Sequence, residues 1–122
     1  MGDRVDPDYL RVLRELGARL TARDLVALDA AGTFCHDSWK ELATAGLTGL
    51  SIAEEYGGQG AEAEPMMTAL ATVGEACHDN GLLFALGAHL WACADPIDRF
   101  GAAAQKQRWL PGLCDGSLIG AH

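Results

Sequence analysis

The sequence predicts an all-α fold: a bundle of about five helices over residues 1–116, with the start of a β-strand at 117–122. Two observations carry this. Apolar residues recur at three- and four-residue spacing along most of the chain. Residues that begin helices, and the Gly and Pro that end them, divide that periodicity into segments of ordinary helical length.

The first stripe is Tyr9, Leu10, Leu13, Leu16 and Leu20, continued by Leu25, Val26 and Leu28. Asp6 caps it, and Pro7 sits in the first turn, where a missing N–H is no loss. Thr21-x-x-Asp24 has the form of a second capping box, so a break is expected near Gly17–Arg23, and Gly32 closes the segment. Ser38-x-x-Glu41 is a capping box opening a short second helix through Trp39, Leu42 and Ala43. Gly46 is its left-handed terminator, with Leu47 placed to fold back onto Leu42. Leu47–Tyr56, with Leu50 and Ile52 in weak alternation, reads as an extended loop that ends in the Gly57-Gly58-x-Gly60 turn.

A third helix begins near Ala61, with Glu62 and Glu64 at its positive end, Pro65 in its first turn and an apolar stripe of Met66, Leu70, Val73 and Cys77. Asn80–Gly81 punctuates. Leu82–Ala94 is hydrophobic nearly all round, which predicts the buried centre of the bundle. Asp95–Pro96 interrupts or kinks this fourth helix, and Gly101 ends it. Ala102–Trp109 is a more polar fifth helix stopped by Pro111–Gly112, and Ser117–Ala121 reads as the beginning of a strand.

Composition excludes several classes of function. A chain of 122 residues is one domain, and 49% hydrophobic residues is ordinary for a folded one. Nine Lys and Arg against 17 Asp and Glu give a net charge of −8, which repels phosphate backbones and anionic membrane faces, so neither nucleic acid nor a membrane is expected as a partner. Cys35, Cys77, Cys93 and Cys114 fit no metal or redox spacing. Cys35–His36 and Cys77–His78 are sequence neighbours, which on a helix point about 100° apart, so they are not ligand pairs. No metal is expected. The run Gly81–Ala94 has 14 residues, short of the roughly 20 that span a bilayer. The acidic N-terminus MGDRVDPDY has no apolar core of a targeting peptide. Together these read as a cytoplasmic chain with reduced thiols.

Gly57–Gly60 is not a phosphate cradle, because neither a preceding strand nor the Lys–Ser/Thr of a P-loop accompanies it. Two longer segments carry a specific pattern: Ile52–Gly60 (IAEEYGGQG) and Phe100–Gly120 (FGAAAQKQRWLPGLCDGSLIG). Trp39, Glu41, Gly46 and Leu47 add a third match. By these residues the chain resembles the N-terminal helical domain of the acyl-CoA dehydrogenase family, over about residues 8–122. Glu75 stands where that family often has an acidic residue. Ala53 departs from a proline common before the Glu–Glu–Tyr–Gly–Gly stretch. Ala102–Ala104 replace a Thr–Glu–Glu that caps the fifth helix, a loss of about 1 kcal/mol.

The resemblance implies an FAD oxidoreductase that carries out α,β-dehydrogenation of an acyl thioester, on CoA or on a carrier protein. It also implies that the catalytic base and most of the flavin site belong to domains beyond this one. No Asp or Glu here is therefore assigned as catalytic, and the chain alone is expected to be inactive and without retained FAD. What such a domain contributes is one wall of the acyl pocket. Registering on Pro96 and Gly101 places Ala85, Ala88, His89 and Ala92 at the pocket-lining positions of the fourth helix. Their i, i+3, i+4, i+7 spacing also puts them on one helical face, and an Ala-rich face equally serves close helix packing. His122 aligns with the strand position that first approaches the flavin. The expected partners are the remaining domains, or a separate flavin-bearing subunit in a homo- or hetero-oligomer. A stand-alone helical interaction module is the alternative.

Overall fold

The structure, a computed structural model, describes residues 4–121. Seven α-helices are present among them: α1 Pro7–Thr21, α2 Leu25–Ala31, α3 His36–Thr44, α4 Ala63–Ala76, α5 Asn80–Gly87, α6 Asp95–Phe100 and α7 Ala103–Cys114. A π-helical segment, Ala88–Ala94, joins α5 to α6, so helical backbone runs without a break from 80 to 100. The all-α expectation holds, and the fourth predicted helix is this composite run.

The expected break in the first segment falls at residues 22–24. Its cap is Asp24, whose carboxylate accepts from Ala27 N–H at 3.0 Å, not Thr21. The Thr21 hydroxyl instead donates to Gly17 O (2.8 Å) and Ala76 O (3.0 Å) and accepts from His78 N–H (2.9 Å), tying α1 to the end of α4. Partners across the bundle outcompete a local cap. The Ser38-x-x-Glu41 box is likewise unused. α3 starts at His36 with Cys35 at the cap position, Ser38 Oγ meets Cys35 Sγ at 3.2 Å, and Glu41 is taken by Arg23 (2.6 Å) and Arg19 (3.4 Å).

Leu13, Leu16 and Leu20 of α1, Trp39 and Leu42 of α3, Ala69 and Val73 of α4, and Leu82, Leu86 and Leu90 of the composite helix form the main core, with Leu47, Leu50 and Cys77. α4 is turned by about one residue from its predicted stripe: Pro65, Ala69, Thr72 and Val73 are buried, while Met66 and Leu70 pack at the margin. Residues 47–56 are not an extended loop. They form two 3₁₀ turns, Leu47–Gly49 and Glu54–Tyr56, and Leu47, Leu50 and Ile52 are fully buried. The backbone of this buried segment is satisfied locally, by Gln59 N–H to Gly49 O (2.9 Å), Gly60 N–H to Ile52 O (2.8 Å) and Ala61 N–H to Leu50 O (2.8 Å).

A smaller cluster of Ile52, Ala94, Leu110, Leu113 and Cys114 anchors α7. Pro111 does not stop that helix, which continues to Cys114. Proline costs a hydrogen bond there, but its position is exposed, so water serves the freed carbonyl while Leu110, Leu113 and Cys114 are buried on the other side. Ala102 cannot cap α7 through its side chain; Gln105 Oε1 accepts from Ala102 N–H at 2.8 Å and supplies half of a box. Pro96 is accommodated similarly. The widened π turn immediately before it lets the helix pass a residue without an N–H, so Asp95–Pro96 does not break the run. Residues 117–121 form no strand: with no second extended segment beside them among the described residues, they have no ladder to join.

Candidate functional site

The composite helix is not buried all round. Successive residues on a helix turn by about 100°, which puts Leu82, Leu86, His89 and Leu90 on one side, and all four are buried, as is Ala94 further along. The opposite side carries Phe84 (80% exposed), Ala88, Trp91 (49% exposed) and Ala92. With Leu83 and Gly87 they line a shallow apolar hollow of about 400 Å³. The four residues singled out by spacing straddle the boundary between these sides. Ala88 and Ala92 stand on the open face, Ala85 is half-buried against the main core, and His89 is fully buried.

His89 is a fully bonded core residue. Gly120 N–H donates to its Nδ1 at 2.9 Å, which leaves the ring proton on Nε2, shared between Thr48 O and Leu113 O at 3.0 Å each. Trp39 packs edge-on against the ring with centroids 5.0 Å apart. Burial lowers its pKa from the ordinary 6.5, because the cation loses hydration that its two carbonyl neighbours only partly replace. A depressed histidine pKa means that the unfolded chain binds the proton more readily. Its contribution to stability is therefore complete above about pH 6.5 and is lost as pH falls below that value. Thermal melts of the wild type and His89→Gln from about pH 8 to about pH 5 should show the wild type losing more stability on acidification. Parallel profiles would contradict the assignment.

Beyond Ala92 the apolar surface continues into a groove of about 490 Å³ lined by Cys93, Pro96, Ile97, Phe100, Trp109 and Ala121. Gly120 lies so close that a Cβ there would stand 2.5 Å from Cys93 Cβ. Phe100 is 85% exposed, and Arg108 stacks over the Trp109 ring at 4.5 Å. The Cys114 thiol beneath this region is pushed up to about 11, chiefly by burial, so it stays protonated and unreactive. All four cysteines are free. His122 lies outside the described residues. Among the described residues no group of three or more His, Cys, Asp or Glu could hold a metal, and no helix is long and apolar enough to cross a membrane.

This face can bind and desolvate an apolar group, but it offers no acid or base to one. Sequence reasoning missed Phe84 and Trp91, the two aromatic rings flanking the hollow. Their signal was the i, i+7 spacing on either side of Ala88, hidden by an apolar run that looked uniformly buried.

The family model "Acyl-CoA dehydrogenase, N-terminal domain" matches residues 8–117. An L-prolyl-[peptidyl-carrier protein] dehydrogenase of Pseudomonas fluorescens is 45% identical over 89 residues, 73% of this chain and 23% of that protein. The crystal structure of the prolyl acyl carrier protein oxidase AnaB superposes with a TM-score of 0.86 at 35% identity, covering 92% of this chain and 30% of that one. The FAD complex of PigA gives a TM-score of 0.83 at 25% identity, covering 98% of this chain and 32% of that one. This chain thus spans 23% to 32% of the length of these three proteins.

Proposed function

We propose, from the premise that the chain belongs to the acyl-CoA dehydrogenase family as its N-terminal helical domain, that it builds one wall of the acyl pocket in an FAD-dependent enzyme oxidising an acyl thioester. The observation that carries this is the open side of the composite helix, where Phe84, Ala88, Trp91 and Ala92 form an unbroken apolar face. Covering a Phe or Trp side chain contributes about 1.5–3 kcal/mol, so this face favours an apolar occupant over water. Ala88 and Ala92 keep the floor low, and the rings of Phe84 and Trp91 bound it. Excluding water there strengthens whatever charged groups the rest of the enzyme directs at the reacting carbons.

FAD in such an enzyme accepts the hydride when bound. The groove beside Trp109 does not fit its pyrophosphate: it is lined by Gln105 and otherwise by apolar residues, glycine and a thiol, with no cation. The cofactor is therefore assigned to the other domains, with residues 117–122 leading into the first strand of a middle β-domain. The likeness to prolyl carrier-protein dehydrogenase and oxidase favours a thioester on a carrier protein over one on CoA.

The test is made in the flavin-bearing enzyme. Ala88→Phe should lower kcat/KM roughly tenfold or more for each methylene that no longer fits, read across a series of acyl thioesters of rising length. An unchanged chain-length profile would remove Ala88 from the pocket. The exposed rings of Phe84, Trp91 and Phe100 also favour a second reading, in which the chain is a separate subunit docking with a flavin-bearing partner. Purified alone, it should then show no flavin absorbance and aggregate until that partner is added. A monodisperse, cooperatively melting monomer would point to a stand-alone module.

A further inference from the structure

Several hydrogen bonds hold the segment that leaves the helical domain, and one of them reaches the histidine that the resemblance places at the acyl pocket. Trp39 Nε1–H donates to Gly116 O at 3.1 Å, Leu118 N–H to Gly112 O at 2.9 Å, and Gly120 N–H to His89 Nδ1 at 2.9 Å. The first two secure the turn after α7. Only the third reaches the stretch that lies in the groove, where Gly120 rests on Cys93 and Ala121 lines the wall with Ile97 and Trp109. His89 is itself immobilised. Its Nε2–H is shared by Thr48 O and Leu113 O, and its ring is packed against Trp39. A buried imidazole with both nitrogens engaged has one orientation and one tautomer, so its bare Nδ1 is a fixed acceptor aimed at the tail.

We propose that His89 is a positioning residue, whose Nδ1 fixes the path on which residues 117–121 leave the helical domain and thereby the seating of the following domain against the Phe84–Ala92 wall. The consequence for catalysis rests on the acyl-pocket reading above; the clamp itself does not. Any displacement at Gly120 is carried directly to whatever the chain presents next to the groove, and small misplacements of reacting groups reduce turnover steeply.

Two readouts test the proposal separately. In this chain, imidazole nitrogen shifts should report a protonated Nε2 and a bare Nδ1, and the Gly120 amide should be protected from exchange. His89→Phe removes the acceptor, and Gly120→Ala pushes the tail off Cys93 while leaving the imidazole itself unchanged, its new Cβ at ordinary contact distance (3.5 Å) from Nδ1. Each should speed exchange at Gly120 about tenfold, the effect of one lost hydrogen bond. In Gly120→Ala the amide of Leu86 should exchange as in the wild type. An unprotected Gly120 amide in the wild type would overturn the clamp. In the flavin-bearing enzyme both variants should lower kcat with KM little changed, and wild-type kcat in both would overturn the positioning role. If Gly120 is protected but the wild-type enzyme is inert toward acyl thioesters, the clamp is supported and the acyl-pocket reading fails.

Discussion

Trp39→Ala is expected to destabilise the domain by about 3–5 kcal/mol, a large share of the roughly 5–15 kcal/mol that holds a chain of this size folded. Trp39 is 1% exposed and has the largest fully buried side chain of the structure. It joins three parts of the molecule. Its ring packs edge-on against His89 of the composite helix and tilts against Phe34, with centroids 5.9 Å apart, and its Nε1–H satisfies Gly116 O after α7. Truncation opens a cavity and leaves that carbonyl without its partner. Phe should recover most of the packing but not the hydrogen bond, about 1 kcal/mol. Urea unfolding with an unchanged slope is the measurement, and a loss below about 1 kcal/mol for the alanine variant would refute this account of the core.

Gly58→Ala should cost about 3 kcal/mol, at the upper end of what overpacking does. The reason is not positive φ, since Gly58 is absent from the left-handed glycines. A Cβ at Gly58 would collide with the carbonyl oxygen of Ile52 and stand 2.7 Å from the Ile52 Cβ. These atoms cannot withdraw. Ile52 is fully buried, its carbonyl accepts from Gly60 N–H at 2.8 Å, and Gly58 N–H is tied to Ala53 O at 3.2 Å. Gly74→Ala is the control. It lies on the exposed side of α4 with nothing within 4 Å of a new Cβ, and should stabilise by about 0.5–1 kcal/mol. Equal melting temperatures for the two variants would show that the Gly58 contact is not what the structure makes it.

The IAEEYGGQG motif illustrates what was legible and what was not. Its glycines announced a turn, and Gly57 (φ 92°) and Gly60 (φ 59°) adopt left-handed backbone as that turn requires. Nothing in the residue pattern showed that the preceding stretch would be buried, because Leu50 and Ile52 alternate too weakly to mark a face. Tertiary contacts with α7 and the composite helix decide that. The caps failed for a related reason. Thr21 and Ser38 have the side chains that local capping needs, yet Thr21 finds partners invisible at three-residue range, Ala76 O and His78 N–H, and Ser38 falls inside α3 with its hydroxyl on Cys35 Sγ. Pro111 was read as a stop because proline breaks isolated helices. Here burial of Leu110, Leu113 and Cys114 outweighs the bond it removes.

The candidate site divides in the same way. The spacing of Ala85, Ala88, His89 and Ala92 sets them on neighbouring turns of one helix, since the helical repeat is a property of the backbone alone. Which side of that arc faces solvent depends on where Trp39, Thr48 and Leu113 sit, and these come from elsewhere in the chain. The sequence alone determined the helical class and the family resemblance, because periodicity, punctuation and motif spacing are local and survive without a partner. Only the tertiary structure separated Ala88 and Ala92 on the open face from His89 in the core. The buried imidazole has three partners here, and they lie 41, 24 and 31 residues away along the chain. Only the folded packing can bring such distant groups to one ring.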